Sequence, residues 1–226
     1  MSNHAGLLLL LFLPFLHIFS SCSSPATDNV PEARISNDMP GTDSIVVERL
    51  IERSIEQYGQ GGMHVDITDK YLAEAEEIAR TNSNYDQLAR INNLLGQRYR
   101  NRARYGEAMK FHQKALSFAT RVGHNNLLAE VYNQIGVVYR RIDDNPNALK
   151  MHVKALRMAE EAGDSVLISS AINSIGNVNY NLDRNITAIE YFKRAMRMSE
   201  EMDNKLGLAI NYNNMGEALL KLGQVD

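Results

Sequence analysis

The sequence predicts an all-α protein, an α-solenoid built from antiparallel helix pairs. Four glycines recur every forty residues, each three positions after an asparagine: Gly96, Gly136, Gly176 and Gly216. From residue 43 onward, apolar side chains recur at helical spacing. A fixed period of this length is typical of repeat proteins, in which each unit packs mainly on its neighbours.

Composition indicates a soluble globular protein, and its net charge does not by itself argue for a strongly charged partner. Of the 226 residues, 44% are hydrophobic and 23% are charged, and the formal net charge is −3. That charge is too small to favour nucleic acid. Four arginines alternate along residues 98–104, but alternate positions on a helix do not share one face. No nucleic-acid partner is therefore expected for this segment.

The first 21 residues are predicted to be a signal peptide, because an apolar run at residues 7–13 is too short to span a bilayer comfortably. Ser20 and Ser21 precede Cys22, the single cysteine of the chain, in a pattern that resembles a bacterial lipobox. We therefore expect Cys22 to be lipidated and residues 22–42, which are polar and rich in proline, to be a flexible tether. An uncleaved anchor helix or an ordinary signal peptide is the alternative.

Residues 43–82 are predicted to form a divergent first repeat of two helices. In the first helix, the apolar stripe is expected to contain Ile45, Val46, Leu50, Ile51 and Ile55. A glycine-rich break at residues 59–62 follows. The second helix is expected over about residues 69–80, with these side chains inward: Tyr71, Leu72, Ala75, Ile78 and Ala79.

Residues 83–226 are predicted to form the regular array, and the last repeat is expected to be incomplete. In each unit a first helix carries the Asn-x-x-Gly string, and a second helix carries alanines such as Ala148 and Ala155 at matching positions. Small residues let two helices approach closely, and we expect each glycine to accommodate a close backbone contact. Because the sequence stops after the first helix of a unit, we expect the chain to be the amino-terminal part of a longer protein or a truncated gene product.

These strings resemble the tetratricopeptide repeat. The Leu-Gly-x-x-Tyr pattern appears at residues 95–99 and, as Ile-Gly-x-x-Tyr, at residues 135–139; the family's later Ala, aromatic and Ala appear as Ala188, Phe192 and Ala195. The forty-residue period resembles the subclass seen in kinesin light chains and several bacterial regulators. The resemblance implies a right-handed superhelix with the first helices lining a concave groove. It also implies a peptide or protein partner.

The asparagine series is the strongest candidate binding feature. Asn93, Asn133, Asn173 and Asn213 recur on one face of consecutive first helices, and an amide both donates and accepts hydrogen bonds. The resemblance places that face in the groove, together with six further polar side chains: Gln97, Arg100, Gln134, Arg140, Asn177 and Asn214. The alternative is that the amides form a ladder between repeats that fixes the pitch of the superhelix.

The arginines of this face are candidates for reading an acidic group. Arg100, Arg140 and Arg141 carry guanidinium groups, which bind carboxylates bidentately. An ordinary solvated face is the alternative interpretation.

The sequence indicates no catalytic residue, metal site or cofactor. His112 and His152 lie forty residues apart, but no further ligand falls at metal-ligand spacing with them, so both are interpreted as core histidines.

Taken together, the signal peptide, Cys22 and the repeats predict a periplasm-facing lipoprotein of a bacterial cell envelope, a non-enzymatic scaffold anchored to a membrane. The alternative is an amino-terminal sensor module of a histidine kinase or helix-turn-helix regulator.

Overall fold

The computed structural model describes residues 41–59 and 65–223, and these ranges contain nine α-helices and no strand. The predicted signal peptide, Cys22 and the tether up to residue 40 lie outside the described residues. The helices are α1 (Thr42–Gly59), α2 (Val65–Thr81), α3 (Tyr85–Asn101), α4 (Tyr105–Val122), α5 (Asn125–Arg141), α6 (Asn145–Ala162), α7 (Ser165–Asn181), α8 (Asn185–Glu201) and α9 (Lys205–Lys221).

The helices stack as consecutive antiparallel pairs, which confirms the predicted all-α solenoid. Each first helix packs on the second helix of its own pair, and each second helix packs on the first helix of the next pair. The backbones of neighbouring first helices also approach one another closely, from α1 through α3, α5 and α7 to α9, whereas the backbones of α2, α4, α6 and α8 lie farther apart. A side-chain pair, Arg194 with Glu160 at 4.0 Å, joins α8 to α6. The first helices are thus the more closely spaced set. They line the inner, concave side, and the second helices form the outer side.

Turns repeat with the same forty-residue period. After the first helices, residues with positive φ are Ala103, Asp143, Asp183 and Gly223; after the second helices, they are Ser83, Gly123, Gly163 and Asp203. Glycine and aspartate adopt this conformation more readily than other residues, so Ala103 (φ 58°) is the exception among the first set.

Polar side chains cap two of the later first helices. Asp164 accepts hydrogen bonds from the backbone N–H groups of Val166 and Leu167, both at 3.0 Å, and so caps α7. At the start of α9, Asp203 occupies the left-handed turn position, and the next residue, Asn204, accepts the capping hydrogen bond from the Gly207 N–H.

The apolar stripe of α1 differs from the prediction. Its buried side chains are Val47, Leu50, Ile51 and Ser54, whereas Ile45 and Ile55 are 60% and 51% exposed. Ser54 is buried because Arg98 of α3 donates a 2.8 Å hydrogen bond to its carbonyl oxygen. The inward residues of α2 were predicted correctly: Leu72, Ala75 and Ala79 are fully buried, and Tyr71 and Ile78 pack against them.

Candidate partner-binding groove

Each glycine in three of the first helices makes room for a ring from its paired second helix. A Cβ atom would lie 2.5 Å from the His112 ring at Gly96, 2.6 Å from the His152 ring at Gly136 and 2.5 Å from the Phe192 ring at Gly176. The predicted close contact is therefore made with a side chain rather than with backbone. At Gly216, none of the described residues outside the backbone of its own helix places an atom within 4 Å of the Cβ position.

The asparagine that precedes each of the first two glycines holds the ring in place. His112 Nδ1 lies 3.0 Å from Asn93 Oδ1, and His152 Nδ1 lies 2.7 Å from Asn133 Oδ1. Because an amide oxygen can only accept, each imidazole donates from Nδ1. Both Nε2 atoms are buried and have no partner among the described residues.

Both histidines are core residues, as predicted. Their side chains are fully buried, and burial lowers the pKa of each to about 3, with a smaller contribution from Arg100 beside His112 and from Arg140 beside His152. The imidazoles are therefore neutral at physiological pH.

Two bonds from amides of the asparagine series run between first helices. Asn133 Nδ2 donates to Ser170 Oγ (3.2 Å), and Asn173 Nδ2 donates to Asn211 Oδ1 (2.6 Å). Asn213 instead donates to Glu217 within α9 (3.0 Å). Asn133 and Asn173 thus form part of a ladder between repeats, which was the alternative interpretation. Some of their hydrogen-bonding groups are satisfied within the array and are not free for a ligand.

The predicted groove residues are not equally accessible. Asn93 is only 3% exposed, which corrects its predicted place on an open surface, because its amide turns towards His112. Asn213 is exposed. The others are half-buried on the concave helices: Asn133, Asn173, Gln97, Arg100, Gln134, Arg140, Asn177 and Asn214.

Three arginines form a positive patch at the carboxyl ends of α3 and α5. Arg100 donates to the Gln134 side-chain oxygen, but no carboxylate of the described residues pairs with Arg100, Arg140 or Arg141. Burial, and then the charge of Arg141, lowers the pKa of Arg100 and of Arg140. Arg140 Nε is buried without a hydrogen-bond partner there. The patch therefore holds excess positive charge.

Neither a metal site nor a membrane-spanning helix is found among the residues that the structure describes. Within those ranges, no three His, Cys, Asp or Glu side chains converge as metal ligands. None of the described helices has the length and apolar character needed to cross a bilayer.

Comparison with known proteins identifies the repeats. Residues 87–161 match the tetratricopeptide repeat family. No curated protein sequence matches the chain.

Three solved structures share the fold at low sequence identity. BtubC (BKLC) from P. vanneervenii has a TM-score of 0.55 at 15% identity, over 82% of this chain and 86% of that one. Aspartyl phosphate phosphatase F from Bacillus subtilis has a TM-score of 0.67 at 19% identity, over 81% of this chain and 48% of that one. The third is a Signal Transduction ATPase with Numerous Domains (STAND) protein with a tetratricopeptide repeat sensor, from Pyrococcus horikoshii. It has a TM-score of 0.66 at 17% identity, over 80% of this chain and 28% of that one.

Proposed function

We propose that this chain, of which residues 87–161 match the tetratricopeptide repeat family, is a membrane-anchored periplasmic scaffold that binds a peptide or protein partner in its concave groove. Tetratricopeptide arrays are interaction modules, and no catalytic family is indicated. The observation that carries the proposal is the row of half-buried amides and guanidinium groups along α3, α5 and α7. Such groups donate and accept hydrogen bonds with a peptide backbone whatever its sequence.

The groove is tested by adding bulk without charge. Val137 lies one turn after Asn133 on the same face of α5, whereas Val153 lies on the outer helix α6 and is 51% exposed. We expect Val137→Trp to reduce recovery of a partner from envelope extract by about tenfold or more, the loss typical of an obstructed interface. Val153→Trp, the matched control, should leave recovery unchanged. Equal recovery with both variants would contradict groove binding.

The membrane anchor depends on Cys22, whose position after Ser20 and Ser21 supports lipidation. Acyl chains contribute about 0.8 kcal/mol for each buried methylene group, so several chains on this cysteine provide a firm anchor. We expect Cys22→Ala to move the protein from the membrane to the soluble fraction after cell lysis. Persistent sedimentation of the variant with membranes would instead indicate an uncleaved anchor helix.

A second candidate is a sensor module of a longer signal-transduction protein, with a histidine kinase or a helix-turn-helix regulator following the array. It is supported by the STAND protein, which is described as having a tetratricopeptide repeat sensor. Sequencing of the complete transcript tests this candidate. A kinase or DNA-binding domain downstream of residue 226 would favour it over the free-standing scaffold.

A further inference from the structure

In one inter-repeat ion pair, a cation at the end of a first helix meets a carboxylate in the turn after the preceding first helix. Lys221, at the end of α9, lies 2.5 Å from the carboxylate of Asp183, in the turn that follows α7. The forty-residue period gives the two equivalent pairs at the earlier junctions: Asn181 with Asp143, and Arg141 with Ala103. At the α3–α5 junction, the cation is therefore present, but its counterpart in the turn has no carboxylate.

The turn at Ala103 adopts the same backbone conformation as its carboxylate-bearing equivalents. Ala103 has φ 58°, against 60° for Asp143 and 58° for Asp183. Aspartate is enriched in this left-handed region, and alanine is not. Both the left-handed backbone and the positive charge of the neighbouring Arg141 would favour aspartate over alanine at this position.

A cavity of about 280 Å³ lies beside Ala103 at this junction. Its lining consists of Arg100, Asn101, Ala103, Tyr105 and Arg141. Arg100 shares its guanidinium between Gln134 and Asn101, both neutral acceptors. Two guanidinium groups therefore border one cavity, and no acid among the described residues neutralises them.

We propose that Arg141 and Arg100 bind a side-chain carboxylate from an acidic segment of the partner, in the cavity beside Ala103. The ligand oxygen atoms take the place that the Asp183 carboxylate holds beside Lys221. A guanidinium fork matches a carboxylate bidentately, and a partly desolvated site strengthens that bond. The inference rests on the proposed function and specifies the chemistry of the partner as an Asp- or Glu-rich peptide.

The test supplies the missing carboxylate from the chain itself. Fluorescence anisotropy measures binding of the full chain to a labelled peptide of six glutamates, with blocked ends, and to its six-glutamine counterpart. We expect the glutamate peptide to bind about tenfold more tightly, and Ala103→Asp and Arg141→Gln each to remove most of that difference. Ala103→Asn, which has similar bulk without charge, and Arg197→Gln, an exposed arginine on the outer helix α8, are the matched controls and should bind as the parent does.

Three results would overturn the proposal. The first is equal binding of the two peptides, and the second is equal loss with Ala103→Asp and Ala103→Asn. The third is displacement of the peptide by inorganic phosphate but not by acetate at the same concentration, which would assign the cavity to phosphate.

The outcome is separable from that of the groove test. If Val137→Trp blocks partner recovery while the Ala103 and Arg141 variants bind the glutamate peptide like the parent, binding in the groove is supported and the carboxylate site is contradicted. If Ala103→Asp prevents binding of the glutamate peptide while Val137→Trp has no effect on partner recovery, the carboxylate site is supported and binding in the groove is contradicted. Circular dichroism establishes that each variant retains its helices.

Discussion

Substituting Gly136 by alanine is expected to lower the free energy of unfolding by about 2 to 3 kcal/mol, the cost of forcing an extra methyl group into a packed core. A Cβ atom there would lie 2.6 Å from Cε1 of His152. The ring is not free to withdraw, because Asn133 holds its Nδ1 at 2.7 Å and because His152 is fully buried. Denaturant unfolding followed by circular dichroism measures the effect.

Gly216→Ala is the matched control, at the same position of the repeat. Gly216 is inside helix α9, and apart from the backbone of that helix no atom of residues 41–59 and 65–223 lies within 4 Å of its Cβ position. Alanine is favoured over glycine within a helix by about 1 kcal/mol, so this variant should be neutral or more stable. Loss of stability in both variants, or in neither, would show that the ring contact is not the reason for the glycine.

Acid is expected to destabilise the array through its two buried histidines. In the unfolded chain each imidazole binds a proton near its ordinary pKa of 6.5, whereas burial lowers the folded-state pKa to about 3. The unfolded state therefore binds more protons in this interval, and stability falls as the pH drops from about 6.5 towards 3. Each histidine contributes a slope of up to about 1.4 kcal/mol per pH unit.

The double variant His112→Phe with His152→Phe should remove this part of the slope between pH 6.5 and 5. Phenylalanine fits the position, since Phe192 packs over Gly176 in the same way in the next repeat. The slope rather than the absolute stability is compared, because phenylalanine also removes the donor to Asn93 and Asn133. His124→Gln is the control, since that ring is at the surface. An unchanged slope in the double variant would contradict the account.

The fold followed from the sequence because its signal is repeated. The forty-residue recurrence of glycine, asparagine and alanine indicated the helix pairs, and the resemblance to the tetratricopeptide repeat implied that the groove lies on the first helices. The orientation of single side chains did not follow. Asn93 and Asn133 recur like surface residues, but the histidine nineteen positions later in each pair draws their amide oxygens inward.

Less regular features were missed for related reasons. In α1, which has described neighbours on one side only, Ile45 and Ile55 are exposed although they are apolar. The cavity beside Ala103 depends on an offset of 38 residues, seen in the Lys221–Asp183 pair, rather than on the forty-residue period itself. Comparing residues at the period alone does not reveal which side chains meet across a junction.

Site-specific photo-crosslinking tests the central claim most directly. A benzophenone amino acid replaces Gln97, on the concave helix α3, or Gln113, exposed on the outer helix α4, and the full chain is irradiated in envelope extract. The account predicts a discrete crosslinked partner from position 97 and none from position 113. Crosslinking from position 113 alone would place the partner on the outer face and contradict the groove.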